Sequence, residues 1–227
     1  MLFLILLLLL VALIYGPQIW AKRILTKYSK HRDDFPGTGG QLARHLLDKL
    51  DMSEVKVEVT ESGDHYDPIE KSVRLSQANW GSQSLTAVVT AAHEVGHAIQ
   101  DRTAYQPLQA RSQLVGIAQL AEKIGAGLMM MIPVIAIIVR IPAAGLLMFL
   151  GGLASLGASV VVHLVTLPVE WDASFKRALP ILKKGEYISN KDQLAAQQIL
   201  TACALTYVAS SLSSLLNLWR WIAILRR

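Results

Sequence analysis

The chain alternates between long apolar stretches and one polar region, and this pattern predicts its elements. Residues 1–21 carry no charge and are apolar for long enough to cross a bilayer core of about 30 Å. In the polar region, residues 22–112, leucines recur at helical spacing over GGQLARHLLDKL, with Thr38 near the N-cap. Two strand-like segments follow, VKVEVT and KSVRLS, and the turn-rich ESGDHYDPIE between them predicts a β-hairpin.

The second half of the chain is apolar again. Residues 113–169 hold two uncharged runs on either side of Arg140, which predicts a transmembrane helical hairpin. Residues 170–193 are polar, and residues 194–227 predict a last apolar helix that either spans the membrane, the alternative we favour, or lies on its surface. Basic residues after the first run predict, by the positive-inside rule, that residues 22–112 and 170–193 face the cytoplasm. They are Lys22, Arg23, Lys27, Lys30 and Arg32.

Composition points to the same class. The chain is 52% hydrophobic and 17% charged with a mean hydropathy of +0.38, which predicts an α-helical integral membrane protein with three or four transmembrane helices. The net charge is +5, and the basic residues cluster beside apolar runs instead of alternating with aromatic residues along one stripe. We therefore expect contact with a lipid bilayer and no binding of nucleic acid. Cys203 is the single cysteine, which excludes an intrachain disulfide and agrees with a reducing compartment.

The clearest chemical signal is AAHEVGHAIQ, residues 91–100. On a helix that Ser84 could cap, His93 and His97 share one face one turn apart, so both imidazoles can bind one metal ion. Glu94 stands beside them as a general base for a water that the metal activates. Gly96 inside this helix costs about 1 kcal/mol relative to alanine, which indicates that another element packs closely there. The pattern predicts a zinc hydrolase.

A third ligand is expected because catalytic zinc usually has three protein ligands. The segment LPVEWDASFKRAL supplies Glu170, which shares a helix face with Ala173 and Arg177, and the small Ala173 would allow close approach to the motif helix. Asp172 lies about 200° further round the helix, so we expect it to cap, to pair with a cation or to orient a ligand histidine. His163 is a weaker alternative, since a proline separates it from this helix.

The remaining parts of a catalytic site are less marked in the sequence. The oxyanion can be stabilised by a donor beside the metal, and His65, Tyr66 and Arg177 are the candidates. Metallopeptidases generally bind substrate as an added strand on an exposed edge, and SVRLS is the candidate edge, although it could equally be a plain hairpin strand. The residues of that predicted edge strand are Val73, Arg74 and Leu75.

These motifs resemble a known family. GDHYDP, VRLS, SLTAVVTAAHEVGHAIQ and LPVEWDAS are similar to YugP-like neutral zinc metallopeptidases over most of the chain, and more distantly to HtpX-like membrane zinc peptidases. The resemblance implies a bacterial plasma-membrane enzyme with a small α+β zinc-peptidase domain of the gluzincin kind. It implies Zn²⁺ ligands at His93, His97 and Glu170, with Glu94 as base. Ser174 stands where the HtpX-like group has an aspartate.

We therefore expect a membrane-bound zinc endopeptidase that cuts membrane-associated or misfolded polypeptides at the cytoplasmic face. A regulatory protein partner is compatible with this expectation. Two alternatives belong to other classes: a non-proteolytic metal-binding scaffold or assembly factor, and a metal-dependent hydrolase of a lipid or a small amide. A closed four-ligand site would indicate the scaffold, and a groove without a free strand edge would indicate the other hydrolase.

Overall fold

The computed structural model describes residues 2–117, 120 and 165–216, in which helices surround a small three-stranded sheet in an α+β arrangement. The π-helical segment Asp172–Ala178 joins α6 to α7 without a break, and a 3₁₀ turn, Asn190–Asp192, precedes α8. The helices are α1 (Leu2–Lys27), α2 (Gly39–Lys49), α3 (Gln77–Trp80), α4 (Leu85–Arg102), α5 (106–117), α6 (165–171), α7 (Leu179–Lys184) and α8 (Gln193–Leu216). The strands are β1 (Lys56–Thr60), β2 (His65–Asp67) and β3 (Ser72–Ser76).

Side-chain caps fix where the two predicted helices of the polar region begin. The Thr38 hydroxyl accepts from the backbone N–H of Gln41, and the Gln41 side chain accepts from the Thr38 N–H, which forms a capping box at α2. Ser84 accepts from the N–H of Ala87 at the start of α4. Both caps confirm the sequence predictions.

The sheet differs from the predicted hairpin. Its order is β1-β3-β2, with β1 parallel to β3 and β2 antiparallel to it. The connection that we interpreted as a turn contains β2, whose Tyr66 pairs with Val73 of β3. The hairpin prediction was wrong because alternation of apolar and polar residues identifies strands without specifying their partners.

α4 is the central helix of the fold. Nearly all of its residues are buried: one side packs on α2 and the sheet, and the other on α8 and the π-helical segment. The core around it is aliphatic, which leaves the polar side chains of α4 as exceptions to be explained. Its fully buried members include Leu47, Val73, Leu75, Val89, Ile199 and Leu200.

The prediction of an integral membrane protein with three or four transmembrane helices is wrong: among the described residues, no helix is both long and apolar enough to cross a bilayer. The predicted anchor over residues 1–21 falls in α1, which continues to Lys27. The last apolar segment falls largely in α8, where Ile199, Leu200 and Ala204 are fully buried. The hairpin predicted over 113–169 lies mostly outside the described residues. Those α8 side chains bury against protein and not against lipid, so composition alone misled the prediction for this segment.

Candidate metal centre

The structure brings the three predicted ligands together between α4 and α6. His93 and His97 come from adjacent turns of α4, and Glu170 comes from α6. Each histidine Nε2 lies 3.2 Å from Oε2 of Glu170, and ligand atoms of the three residues all lie within 4.8 Å of one another. All three side chains are buried. Together they could hold a metal ion.

Gly96 explains how the two segments approach so closely. A Cβ atom at this position would lie 2.7 Å from the carbonyl oxygen of Ala173, which is closer than such atoms come in proteins. The backbone of the π-helical segment therefore occupies the space that any larger side chain would need. This contact confirms the close packing that the glycine inside the motif helix predicted.

Gln100 fixes the tautomer of His97. Its Nε2 donates to the carbonyl oxygen of Val169 at 2.8 Å and to Oδ2 of Asp172 at 2.9 Å. Its Oε1 is then oriented to accept the Nδ1 hydrogen of His97, at 2.9 Å. Because Nδ1 carries the hydrogen, the Nε2 lone pair of His97 points to the ligand cluster. Sequence reasoning missed Gln100, although it lies on the same helix face three residues after His97.

Ser174 has the corresponding role at His93. Its hydroxyl donates to the carbonyl oxygen of Leu200 at 3.3 Å, so its oxygen accepts the Nδ1 hydrogen of His93 at 3.1 Å. The serine thus orients a ligand histidine through a neutral, buried acceptor.

The three converging atoms of His93, His97 and Glu170 favour binding of a cation. Two Nε2 lone pairs and the carboxylate oxygen of Glu170 are all acceptors, and they would repel one another at 3.2 Å with nothing between them. With both Nδ1 hydrogens committed elsewhere, a divalent cation would satisfy all three atoms at once. Two imidazole nitrogens and one carboxylate oxygen match catalytic zinc, which keeps a fourth position for water or substrate. The residues present therefore fit zinc.

Arg111 holds the other oxygen of Glu170. Its Nη1 donates to Oε1 at 3.0 Å, which leaves Oε2 for the metal centre. Sequence reasoning missed Arg111, although it is the only charged residue between Arg102 and Glu122.

Glu94 lines a cavity of about 630 Å³ together with His93. Burial raises the pKa of Glu94 to about 8, and the negative charge of Glu170 contributes to the shift. A divalent cation at the neighbouring ligands would favour the ionised form, because opposite charge stabilises a carboxylate. A larger groove of about 690 Å³ contains neither Glu94 nor the three ligands. The smaller cavity is therefore the one that could bring substrate to the metal centre.

Asp172 does not join the metal ligands, as expected from its place on the helix. Its Oδ2 accepts from Gln100 and, at 2.9 Å, from Nε of Arg177. α-Helical spacing had grouped Arg177 with Glu170, and this grouping is wrong. Hydrogen bonds from i to i+5 widen a π-helical turn, and this spacing aligns Arg177 with Asp172.

The three oxyanion candidates lie elsewhere among the described residues. None of them lines the cavity of Glu94. Nδ1 of His65 is 2.8 Å from the carbonyl oxygen of Gly63, the Tyr66 hydroxyl donates to Asp101 at 2.6 Å, and Arg177 is paired with Asp172. An oxyanion role for these residues stays a prediction.

The predicted edge strand is not an edge. β3, with Val73, Arg74 and Leu75, is the central strand and pairs with β1 on one side and β2 on the other. β2 is the outer strand beside it, and residues 62–64, which lead into β2, line the cavity of Glu94. Strand propensity cannot reveal sheet order, so the sequence pointed to the central strand instead of an outer one.

Comparison with known proteins agrees with this geometry. The sequence profile of a family described as "Putative neutral zinc metallopeptidase" matches residues 3–226. The chain is similar to "Putative membrane protease YugP" of Bacillus subtilis (strain 168), with 34% identity over 226 residues, 99% of this chain and 96% of that protein. No solved structure matches it. The similarity confirms the resemblance seen in the motifs, and the chain belongs to the family of putative neutral zinc metallopeptidases.

Proposed function

We propose that this protein is a zinc-dependent endopeptidase. One observation carries the proposal: three buried acceptor atoms of His93, His97 and Glu170 converge beside Glu94. Glu94 itself lines a cavity large enough for substrate side chains. Membership of the zinc metallopeptidase family supports the same assignment.

Different residues of the site bind the metal, orient its ligands and transfer the proton. His93, His97 and Glu170 would hold zinc, which would supply the Lewis acidity that activates water and polarises a carbonyl. Gln100 and Ser174 hold the two imidazoles with Nε2 toward the ion. A carboxylate oxygen of Glu94 takes a proton from the attacking water and passes it to the leaving nitrogen.

A polypeptide substrate is supported by the sheet. β2 is an outer strand of the described sheet, and the segment leading into it lines the cavity. An extended peptide could pair with that edge and place its carbonyl beside the metal centre. A free edge favours a peptidase over a hydrolase of lipids, and a three-ligand centre favours catalysis over a closed structural metal site.

We place this activity at the cytoplasmic face of the bacterial plasma membrane, with membrane-associated or misfolded polypeptides as substrates. The name of the Bacillus relative supports a membrane location. Exposed basic residues at the end of α1 supply a surface for anionic headgroups. They are Lys22, Arg23, Lys27 and Lys30.

Hydrolysis of an unfolded protein by the purified chain tests the proposal. Zinc-loaded protein should cleave denatured casein carrying a quenched dye, lose activity with a zinc chelator and recover it when zinc is restored. Glu94→Gln should abolish cleavage and retain about one zinc ion per chain. Glu70→Gln, which changes an exposed glutamate, is the matched control and should stay active. Inactive zinc-loaded wild type, or loss of zinc in Glu94→Gln, would overturn the assignment.

A further inference from the structure

The cavity beside the metal centre has a second carboxylate in its wall. Among the described residues that line it, Asp64 and Glu94 are acidic and none is lysine or arginine. The other lining side chains are small or uncharged and include several hydroxyl groups from Ser29, Ser62, Thr86, Thr90 and Thr206. Asp64 belongs to the motif GDHYDP, which has no part in metal binding or proton transfer as described above.

Asp64 is held rigidly by partners that carry no charge. Its Oδ1 accepts from the backbone N–H of Ser76 at 2.7 Å and from the Ser76 hydroxyl at 3.0 Å. Its Oδ2 accepts from Nδ2 of Asn79 at 2.7 Å. The preceding Gly63 has a φ of 85°, a left-handed conformation that suits glycine and turns the chain toward the cavity. These contacts orient the carboxylate and do not neutralise it.

Asp67, three residues later in the same motif, shows the contrast. Its Oδ2 accepts from Nη1 of Arg74 at 2.8 Å, so a cation of the protein balances its charge. Its Oδ1 accepts two backbone N–H groups in the turn that follows β2. Asp67 is thus accounted for by the fold, whereas the charge of Asp64 has only neutral donors and faces the catalytic cavity.

The negative charge of Asp64 reaches across the cavity. Cys203 lies on α8, in the wall formed by a different element, and its pKa is raised chiefly by burial and by the charge of Glu94. Asp64 contributes to the same shift. A substrate side chain beside Asp64 would therefore lie next to a negative charge, which attracts cations and repels carboxylates.

We infer that Asp64 forms a subsite for a basic substrate side chain, so that the enzyme cleaves polypeptides with lysine or arginine close to the scissile bond. This inference rests on the proposed peptidase function and names its substrate class. A lysine side chain can extend its apolar stem along the small lining residues and place its ammonium group at Oδ2 of Asp64, which accepts only one of the three hydrogen bonds. An acidic side chain at that position would meet the carboxylate of Asp64, and no lysine or arginine among the described lining residues would balance the two charges.

Peptides that differ at one position test the subsite. A fluorogenic peptide cleaved by the zinc-loaded full chain is varied at each position around the cleaved bond among lysine, norleucine and glutamate. Norleucine keeps the stem of lysine without its charge. Wild type should show a kcat/KM about tenfold higher for lysine than for norleucine at one position, and a lower value for glutamate. Asp64→Asn should bring the lysine-to-norleucine ratio close to one while it still cleaves the norleucine peptide.

A control and a second measurement keep the outcome decisive. Glu61→Gln removes an exposed acid from the same loop, outside the cavity, and should leave the ratio unchanged. If Asp64→Asn does not fold, the lysine-to-norleucine ratio of kcat/KM in wild type should still fall as the salt concentration rises. Salt screens the ion pair between Asp64 and lysine, whereas the norleucine peptide forms no such pair.

No lysine preference at any position, or a preference that persists in Asp64→Asn, would overturn the inference while leaving the peptidase proposal intact. Failure to cleave any peptide would instead count against the proposed function. In that case, equal binding of lysine and norleucine peptides to Glu94→Gln would also overturn the subsite.

Discussion

Nδ1 of His97 donates to Oε1 of Gln100 at 2.9 Å, and Gln100 is completely buried. Through its amide hydrogens Gln100 also ties α4 to Val169 and Asp172 in the facing segment. The orientation of one metal ligand is thus coupled to the packing of the helix that carries another, Glu170. This arrangement links the stability of the fold to the affinity of the metal centre.

Gln100→Met should weaken zinc binding about 10- to 100-fold, because methionine fills the space without accepting the Nδ1 hydrogen of His97. Competition with a chromogenic zinc chelator would measure the dissociation constant. Gln109→Met changes an exposed glutamine on α5 and should bind zinc like wild type. Equal affinities for the two variants would show that Gln100 does not position His97.

Glu170→Ala should lose most of the bound zinc and all activity, because it removes the oxygen on which both histidine nitrogens converge. Asp172→Ala should keep zinc, with weaker binding and reduced activity, since Asp172 acts through Gln100. Elemental analysis of the purified variants after dialysis would measure how much zinc each variant retains. The opposite ranking would make Asp172 the ligand and contradict the assignment of Glu170.

Gly96→Ala should lower the free energy of unfolding by about 1–3 kcal/mol, because its Cβ would overlap the carbonyl of Ala173 and push the two segments apart. Zinc affinity should fall as well, since the same displacement separates Glu170 from the histidines. Urea unfolding and chelator competition give the two values. Gly81→Ala is the matched control, because a Cβ there would lie an ordinary 3.7 Å from the carbonyl oxygen of Gln77. Unchanged stability in Gly96→Ala would contradict the close contact.

Lowering the pH should weaken the ion pair between Arg32, in the loop after α1, and Asp192, in the 3₁₀ turn before α8. Arg32 donates to both oxygens of Asp192, at 2.7 and 2.9 Å, and this contact holds the pKa of Asp192 below its ordinary value. A depressed pKa in the folded state adds stability that is present above the unfolded pKa of about 3.9 and is lost as pH falls through the folded pKa. Asp192→Asn should therefore cost about 1 kcal/mol at pH 7, a modest value because the pair is partly exposed.

Urea unfolding at pH 7 and at pH 3 would check this pH dependence. The difference in free energy of unfolding between wild type and Asp192→Asn should become smaller at pH 3, where the carboxyl group of Asp192 begins to bind a proton. Asp33→Asn is the control, because Asp33 is almost fully exposed and its removal should change stability little at either pH. A difference that is the same at both pH values would exclude an ionic contribution from Asp192.

Local signals in the sequence identified the elements that carry the chemistry. Ser84 and Thr38 marked helix starts because a capping hydroxyl lies within three residues of its partner. The spacing of His93 and His97 placed two ligands on one face because helical geometry is local. Gly96 and Ala173 were recognised as a close contact because only small residues permit one.

Features that depend on distant neighbours were missed or misplaced. Arg111 and Gln100 have unremarkable surroundings in the sequence, and their roles arise only when α4, α5 and α6 pack together. The alignment of Arg177 with Asp172 depends on a π-helical turn, which α-helical spacing does not predict.

By itself, the sequence determined where α2, α4, β1 and β3 form, which side chains could bind zinc and which family the chain resembles, because these depend on local spacing and residue chemistry. Tertiary structure decided which strand is the sheet edge, where the apolar helices bury their side chains and which neutral groups orient the ligands. β3 became the central strand through pairing with β2, and Ala196, Ile199, Leu200 and Cys203 of α8 pack in the protein core. Such outcomes follow from competition among alternative partners for the same apolar face or strand edge, and no single segment specifies its partner.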